Sequence, residues 1–213
     1  MENITEAAVT EFINATVKKE EGHLHEMELF AKENYVPIIQ REAGRFLSVL
    51  VSIINPGRIL EMGTAIGYSA LLMAKACNAS ITNIERDEEM FCLALDNIAK
   101  LGMQDRIRLI HGDAEAEVQN LPGKFDFIFI DAAKGQSPIH FELALEKLAP
   151  GGVILTDNVL YRGMVAQKED VGHKHRTIVN RLKEFLDSIC NDERFDTAIL
   201  PIGDGMAITK VKE

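Results

Sequence analysis

Two stretches of the chain set a carboxylate and a second polar group just past a run of apolar residues. In Phe127-Ile-Phe-Ile-Asp131-Ala-Ala-Lys134 the carboxylate is followed three residues later by an ammonium, and in Ile154-Leu-Thr-Asp157-Asn158 it is followed by an amide. If the two apolar runs are neighbouring strands, as successive right-handed crossovers make them, three oxygen donors converge. Oxygen donors without His or Cys select Mg²⁺, Mn²⁺ or Ca²⁺ over zinc and leave positions open for water and substrate. Taken singly, each Asp also reads as the cap of a following helix. A third stretch, Glu61-Met-Gly63-Thr-Ala-Ile-Gly67, lies between a strand and a helix, where glycines let a ligand approach the backbone. It has neither the GxGxxG spacing of a dinucleotide fingerprint nor the Lys-Ser/Thr ending of a P-loop. Glu85, at the end of the next apolar run, is placed to accept hydrogen bonds from two ribose hydroxyls. Loop and acid together read as a nucleoside site.

The elements that must position these groups alternate. Short apolar runs at Ile59–Met62, Ile81–Ile84, Ile107–Ile110, Phe125–Ile130 and Val153–Thr156 are separated by helical segments, the pattern of an α/β protein whose parallel sheet is covered on both faces. Each run ends in a polar cluster: Glu61 and Gly63, then Glu85, then Gly112 and Asp113, then Asp131, then Asp157 and Asn158. Open α/β sheets bind ligands beyond the carboxyl ends of their strands, so these clusters are expected on one edge. A helix over His175–Cys190 follows, and Ala198–Pro201 with Met206–Val211 form a closing antiparallel pair around Gly203-Asp204-Gly205. Upstream, apolar residues recur at helical spacing in three stretches, the first containing Ile4, Val9, Phe12, Ile13 and Val17 and the third opening at Pro37. Asn55-Pro56-Gly57 ends the third. The expected organisation is a single domain over 1–213, with a helical cap at 1–54 and the α/β core at 55–213.

Composition narrows the class. Among 213 residues, 46% are hydrophobic and 26% charged, the balance of a folded globule rather than a disordered or fibrous chain. No apolar run approaches the ~20 residues needed to cross a bilayer. The opening residues show no basic segment followed by an apolar one, so the cytoplasm is the expected location. Cys77, Cys92 and Cys190 stand far apart without a CxxC pair, which fits reduced thiols.

The stretch ILEMGTAIGYS resembles the first motif of class I S-adenosylmethionine-dependent methyltransferases, and NIERD resembles their second. The resemblance implies a Rossmann-like fold whose seven-stranded, mostly parallel sheet ends in an antiparallel C-terminal strand pair, with extra N-terminal helices. It also implies S-adenosylmethionine as methyl donor. Gly63 would lie against its methionine part, Ser69 would hold its carboxylate and Glu85 its ribose, and Asp113 and Ala114 would border its adenine. Ile38, Glu61 and Asp131 complete the implied cofactor contacts. The pair FIDAAKGQ and TDNVL resembles the cation-dependent O-methyltransferases, the group of the catechol and caffeoyl-CoA enzymes. By that likeness Asp131, Asp157 and Asn158 hold Mg²⁺ (or Mn²⁺ or Ca²⁺), and Lys134 is catalytic together with Asp131. A homodimer is likewise implied.

The acceptor is the open term. Where catechol O-methyltransferases carry a glutamate after a C-terminal Asp-Gly-Leu, this chain has Asp204-Gly205-Met206-Ala207. NYVPII, DAAKGQ, TDNVLYRGMVA and ILPIGDGMAI together most resemble the bacterial tRNA 5-hydroxyuridine methyltransferases, which implies methylation of 5-hydroxyuridine to 5-methoxyuridine at the wobble position. A net charge of −10 opposes RNA binding. Arg162, Lys168, Lys174, Arg176, Arg181 and Lys183 nevertheless cluster just after the expected metal ligands, as a basic rim for an anticodon loop or as a solvated face. Arg41 is a further candidate RNA contact. The alternatives are a small-molecule acceptor of the catechol or caffeoyl-CoA type and, in a different class, a non-catalytic nucleoside-binding module. His23 and His25, two apart on one helix, point away from each other and do not read as a metal pair. His111 reads as a packed or edge residue.

Overall fold

A computed structural model of the chain describes residues 4–131, 134–167 and 171–212. The core is a seven-stranded sheet built from β1 (Arg58–Met62), β2 (Ser80–Glu85), β3 (Ile107–His111), β4 (Phe125–Ile130), β5 (Leu148–Thr156), β6 (Phe195–Leu200) and β7 (Met206–Val211). Their order is β3-β2-β1-β4-β5-β7-β6. The first five run parallel to their neighbours, and β7 runs antiparallel to both β5 and β6. This is the expected Rossmann-like sheet with its antiparallel C-terminal pair. Strand order reverses between β1 and β4, the switch point where such sheets open a crevice. The register pairs Met62 with Ile84 and Ile130, and Ile130 with Thr156, so the residues that follow these strands share one edge.

Alternation along the strands separates two cores. Ile59, Ile81, Phe127, Phe129 and Leu155 face a layer formed with α2 (His23–Glu33), α3 (Arg41–Ile54), α4 (Tyr68–Ala76) and α5 (Glu88–Lys100). Leu60, Met62, Ile84, Ile128, Ile130 and Ile154 face the opposite layer, made with α6 (Ala114–Asn120), α7 (Ser137–Lys147) and α8 (His173–Asn191). Both faces are apolar, so these strands read as near-continuous hydrophobic runs. On α3, Ala43, Gly44, Leu47 and Val51 make the buried stripe. Gly44 lets α3 come close to α4: a Cβ there would stand 2.9 Å from Leu72 Cδ1.

Several boundaries differ from the sequence expectation, among them the start of β5, which reaches back to Leu148 where the apolar run opens only at Val153. The helix expected to open at Pro37 begins at Arg41, and residues 36–40 run non-helically as a strap. Ile39 is buried from this strap, so apolar anchoring there outweighs one more helical turn. Ile4 precedes α1 (Ala7–Thr16) rather than joining it. β6 starts at Phe195, whose ring packs edge-on against Phe141 on α7 and draws the strand three residues upstream. Among the described residues no helix is long and apolar enough to cross a membrane.

Candidate active site at the carboxyl edge of the sheet

The strand ends open into one cavity of about 450 Å³, within the range of small-molecule sites. Gly63, Ser69 and Glu85 line one side, Asp113 and Ala114 the far end, and Asp131, Asp157 and Asn158 the other side. The strap contributes Ile38 and its neighbours as a wall over the opening.

On the first side the loop after β1 is wired to the end of β2. Glu85 Oε2 accepts from the backbone N–H of Thr64 at 3.1 Å and of Ala65 at 2.7 Å, and Oε1 accepts from Asp87 N at 2.9 Å. Gly63 N donates to Ile84 O at 3.0 Å, and Gly67 closes the turn in the left-handed region at φ +84°. Glu85 therefore anchors the loop as well as facing the cavity. Glu61 differs from its expected role. It is fully buried beneath the loop, is no part of the cavity wall, and accepts from Ser69 Oγ, Thr64 Oγ1 and Asn83 Nδ2. Burial raises its carboxyl from 4.5 to about 8, against the lowering pull of the Ser69 and Thr64 bonds, and the Glu85 charge adds to the rise. Ser69 commits its one proton to this buried acid, so holding a ligand carboxylate requires that hydroxyl to turn.

On the other side the strand-end groups meet. Asn158 Nδ2 donates to Asp131 Oδ1 at 2.8 Å, and Asn158 N donates to Asp157 Oδ1 at 2.6 Å. Asn158 holds φ +63°, and Tyr161 and Arg162 after it are also left-handed at +43° and +56°. The tip between β6 and β7 holds this turn in place. Val159 N donates to Gly205 O, Leu160 N to Asp204 O, and Arg162 N to Asp204 Oδ1. Gly205, at φ +89°, is required because a Cβ would run into the Leu160 side chain. Among the described residues no three His, Cys, Asp or Glu side chains gather as a metal site. The set here is two carboxylates and an amide, the hard-oxygen chemistry that suits Mg²⁺, Mn²⁺ or Ca²⁺, once the Asn158 amide turns its oxygen inward.

The sequence pattern of the O-methyltransferase family matches residues 13–212. The chain belongs to this family. A caffeoyl-CoA O-methyltransferase of Populus kitakamiensis is 33% identical over 178 residues, spanning 79% of this chain and 76% of that protein. A flavonoid 3',5'-methyltransferase of Vitis vinifera is 32% identical over 182 residues, spanning 79% and 76%. Among solved structures, an O-methyltransferase of Bacillus cereus in complex with SAH (S-adenosylhomocysteine) superposes with a TM-score of 0.84 at 28% identity, covering 96% of this chain and 97% of that one. An SAH-bound methyltransferase of Podospora anserina gives 0.87 at 27% identity, covering 97% and 94%.

Other sequence expectations for this O-methyltransferase fall as follows. Lys134 opens a 3-10 turn, Lys134–Gln136, and its side chain lies outside the described residues, as does Lys168 of the basic segment. Arg41 bonds Glu28 at 2.9 Å, and Tyr68 OH donates to the same carboxylate at 2.7 Å, so Arg41 serves an internal network between α2, α3 and α4. Burial pushes the Glu28 carboxyl up, but the Arg41 and Tyr68 hydrogen bonds outweigh it and leave it below the ordinary value. His23 bridges Glu26 and Asn97, and His25 lies 3.4 Å from Glu28. His111 is exposed at its strand end and packs on Phe91. Sequence reasoning did not single out Tyr68, His140 or Asp204 as wall residues. Tyr68 and His140 sit in helical stretches where a core position is the plain reading.

Proposed function

We propose that this O-methyltransferase moves the methyl group of S-adenosylmethionine onto one of two adjacent oxygens of a small aromatic acceptor of the catechol or caffeoyl-CoA type, assisted by a divalent cation. The observation that carries the reading is the meeting of Asp131, Asp157 and Asn158 across one cavity from the Glu85-anchored loop. Glu85 would accept from the donor's ribose hydroxyls, while Gly63 and Ser69 border its amino-acid end. Ile38 of the strap would cover the donor, and Asp113 and Ala114 would border its base. When bound, S-adenosylmethionine supplies an electrophilic methyl group. Asp131, Asp157 and Asn158 would hold the cation. When bound, the cation supplies Lewis acidity that eases deprotonation of an acceptor hydroxyl near neutral pH. Lys134, one turn after Asp131, is assigned as the group that takes or holds that proton. The remaining task of the site is positioning two reactants in line, which supplies much of the acceleration in such transfers. The exposed apolar residues of the N-terminal helices, Phe12 at 70% and Ile53 at 76% exposure among them, support a homodimer built through this cap.

A second reading, methylation of 5-hydroxyuridine at the tRNA wobble position, is favoured by one observation. Arg162 lines the cavity, and α8, which exposes Lys174, Arg181 and Lys183, packs against the turn that follows Asp131. Ala207 occupies the position of the catechol enzymes' glutamate and is buried opposite Thr156, so no carboxylate reaches the acceptor from there. The 5-hydroxyl and 4-carbonyl of that base form a two-oxygen pair much like a catechol's. The test is mass spectrometry of methyl transfer to caffeoyl-CoA and to tRNA lacking the wobble methyl. Methylation of caffeoyl-CoA that is unchanged when Lys174 and Arg181 are replaced by Ala supports the first reading. Methylation confined to tRNA, with a KM raised by those replacements, supports the second.

A further inference from the structure

His140 sits on α7 with 3% of its surface exposed, and it lines the cavity at the end formed by Asp113, Ala114 and Gln136. The polar groups around it are spent on one another. Gln136 Nε2 donates to Glu115 Oε1 at 3.1 Å, and Asp113 Oδ1 accepts from Glu115 N at 2.9 Å to cap α6. The imidazole is left over: among the described residues its buried Nδ1 has no hydrogen-bond partner. More than nine in ten buried polar atoms are satisfied, and an orphan is costly. The next residue, Phe141, shows that α7 fills adjacent core with plain hydrocarbon, so packing alone gives no reason for a histidine at 140. Burial lowers its pKa from 6.5; the Glu115 and Asp113 charges oppose the shift and Arg86 adds to it. The ring is therefore neutral near pH 7, with one nitrogen a donor and the other an acceptor.

His140 borders the cavity, its Nδ1 coming to the open space once the ring turns, and its position relative to Glu85 says which part of a bound nucleoside lies nearest to it. Glu85 ends β2, and the next strand outward is β3, whose end carries Gly112 and Asp113. A nucleoside whose ribose lies at Glu85 extends its base toward that end, where Met90 offers an apolar flank. We propose that His140 reads the base, giving one hydrogen bond to the edge of the adenine ring and so sorting adenine from other purines. The inference rests on the nucleoside reading of the donor side and adds to it a residue that decides which nucleoside is accepted. The pairing that sorts is the amino group of adenine donating to an unprotonated Nδ1; hypoxanthine presents a carbonyl acceptor at that edge, which an acceptor nitrogen does not match.

Titration calorimetry of the full chain with S-adenosylhomocysteine and with S-inosylhomocysteine, which carries a carbonyl in place of the amino group, tests this. Wild type is expected to prefer the adenine form. His140→Phe is expected to weaken S-adenosylhomocysteine binding about tenfold and to shrink the preference to within about twofold, with the melting temperature held or raised, because it removes an unsatisfied polar atom. His140→Gln, which keeps a donor and an acceptor that interchange by turning the amide, recovers part of the affinity but not the preference. Binding of both ligands by His140→Phe as in wild type overturns the inference. So does an equal loss for both, since a packing role cannot sort adenine from hypoxanthine. Should His140→Phe not fold, the ring-nitrogen resonances of His140 in wild type decide: a shift on adding S-adenosylhomocysteine supports the contact and unchanged resonances overturn it. No binding by wild type removes the nucleoside reading itself, and this inference with it.

Discussion

Glu61, Thr64, Ser69, Asn83 and Glu85 are bonded to one another within a single stretch of chain running from β1 to the end of β2. The groups across the cavity come from places far apart: Asp131 after β4, Asp157 and Asn158 after β5, Arg162 in the following turn and Asp204 at the β6–β7 tip. The side that the proposed function assigns to the methyl donor is thus held by local wiring beneath its loop. The side assigned to the acceptor is held by the tertiary fold and by a turn with three non-glycine residues in the left-handed region, conformations that persist only where surroundings enforce them.

The largest expected separation comes from Asp157→Ala. Methyl transfer should fall by at least about a hundredfold, the scale seen when a positioned electrostatic group is lost. S-adenosylhomocysteine affinity, read by calorimetry, should stay within about tenfold; a comparable loss of both would erase the division.

Glu61→Gln probes the donor wiring through pH. The folded protein keeps the Glu61 proton up to about 8, while the unfolded chain releases it near 4.5. Between those values the unfolded state binds fewer protons, so this group's contribution to stability falls as pH rises from about 4.5 to about 8 and is level above. Gln is neutral throughout. The variant's melting temperature relative to wild type should therefore climb from pH 5 to pH 8, by an amount equivalent to a few kcal/mol. A flat difference would mean that Glu61 is ionised in place.

Glu85→Ala is expected to weaken donor binding by about 1–2 kcal/mol, since ribose hydroxyls lose a charged acceptor and the loop loses its bonds at Thr64 and Ala65. Unaltered affinity in calorimetry would take Glu85 out of the site. The smallest effect belongs to Tyr68→Phe. Losing the bond to Glu28 should cost about 1 kcal/mol of stability in denaturant melts, because Arg41 still pairs that carboxylate. A larger loss would make the N-terminal network part of the donor wiring rather than an addition to it.

The sheet and its polar edge were legible because buried parallel strands write themselves as short apolar runs, and each run here ends where its polar cluster begins. Five parallel strands followed from that, and the closing pair from the two short runs around Gly203-Asp204-Gly205. The strap at 36–40 was not legible: Pro37 suits a helix start as well as an extended segment, and only the burial of Ile39 tells them apart. Glu61 entered as a cofactor contact through the family resemblance, and its burial beneath the loop is a matter of depth that sequence does not show. His140 drew no reading from the sequence, since helical spacing cannot reveal that one ring nitrogen finds no partner. The turn at 158–162, with Asn158, Tyr161 and Arg162 at φ > 0, gave no sign either, because it is held by bonds from Val159, Leu160 and Arg162 to Asp204 and Gly205, more than 40 positions on. Ser69 was found at the cavity wall as expected, yet its bond to Glu61 was invisible without the depth of β1.

The most direct test of the divided site is one sample of the wild-type chain treated with a chelator and followed by two readouts, methyl transfer to a vicinal-dioxygen acceptor and S-adenosylhomocysteine binding. The account predicts that transfer stops and returns when Mg²⁺ is added, while binding of the nucleoside is unchanged throughout. Undiminished transfer in the chelator would contradict it.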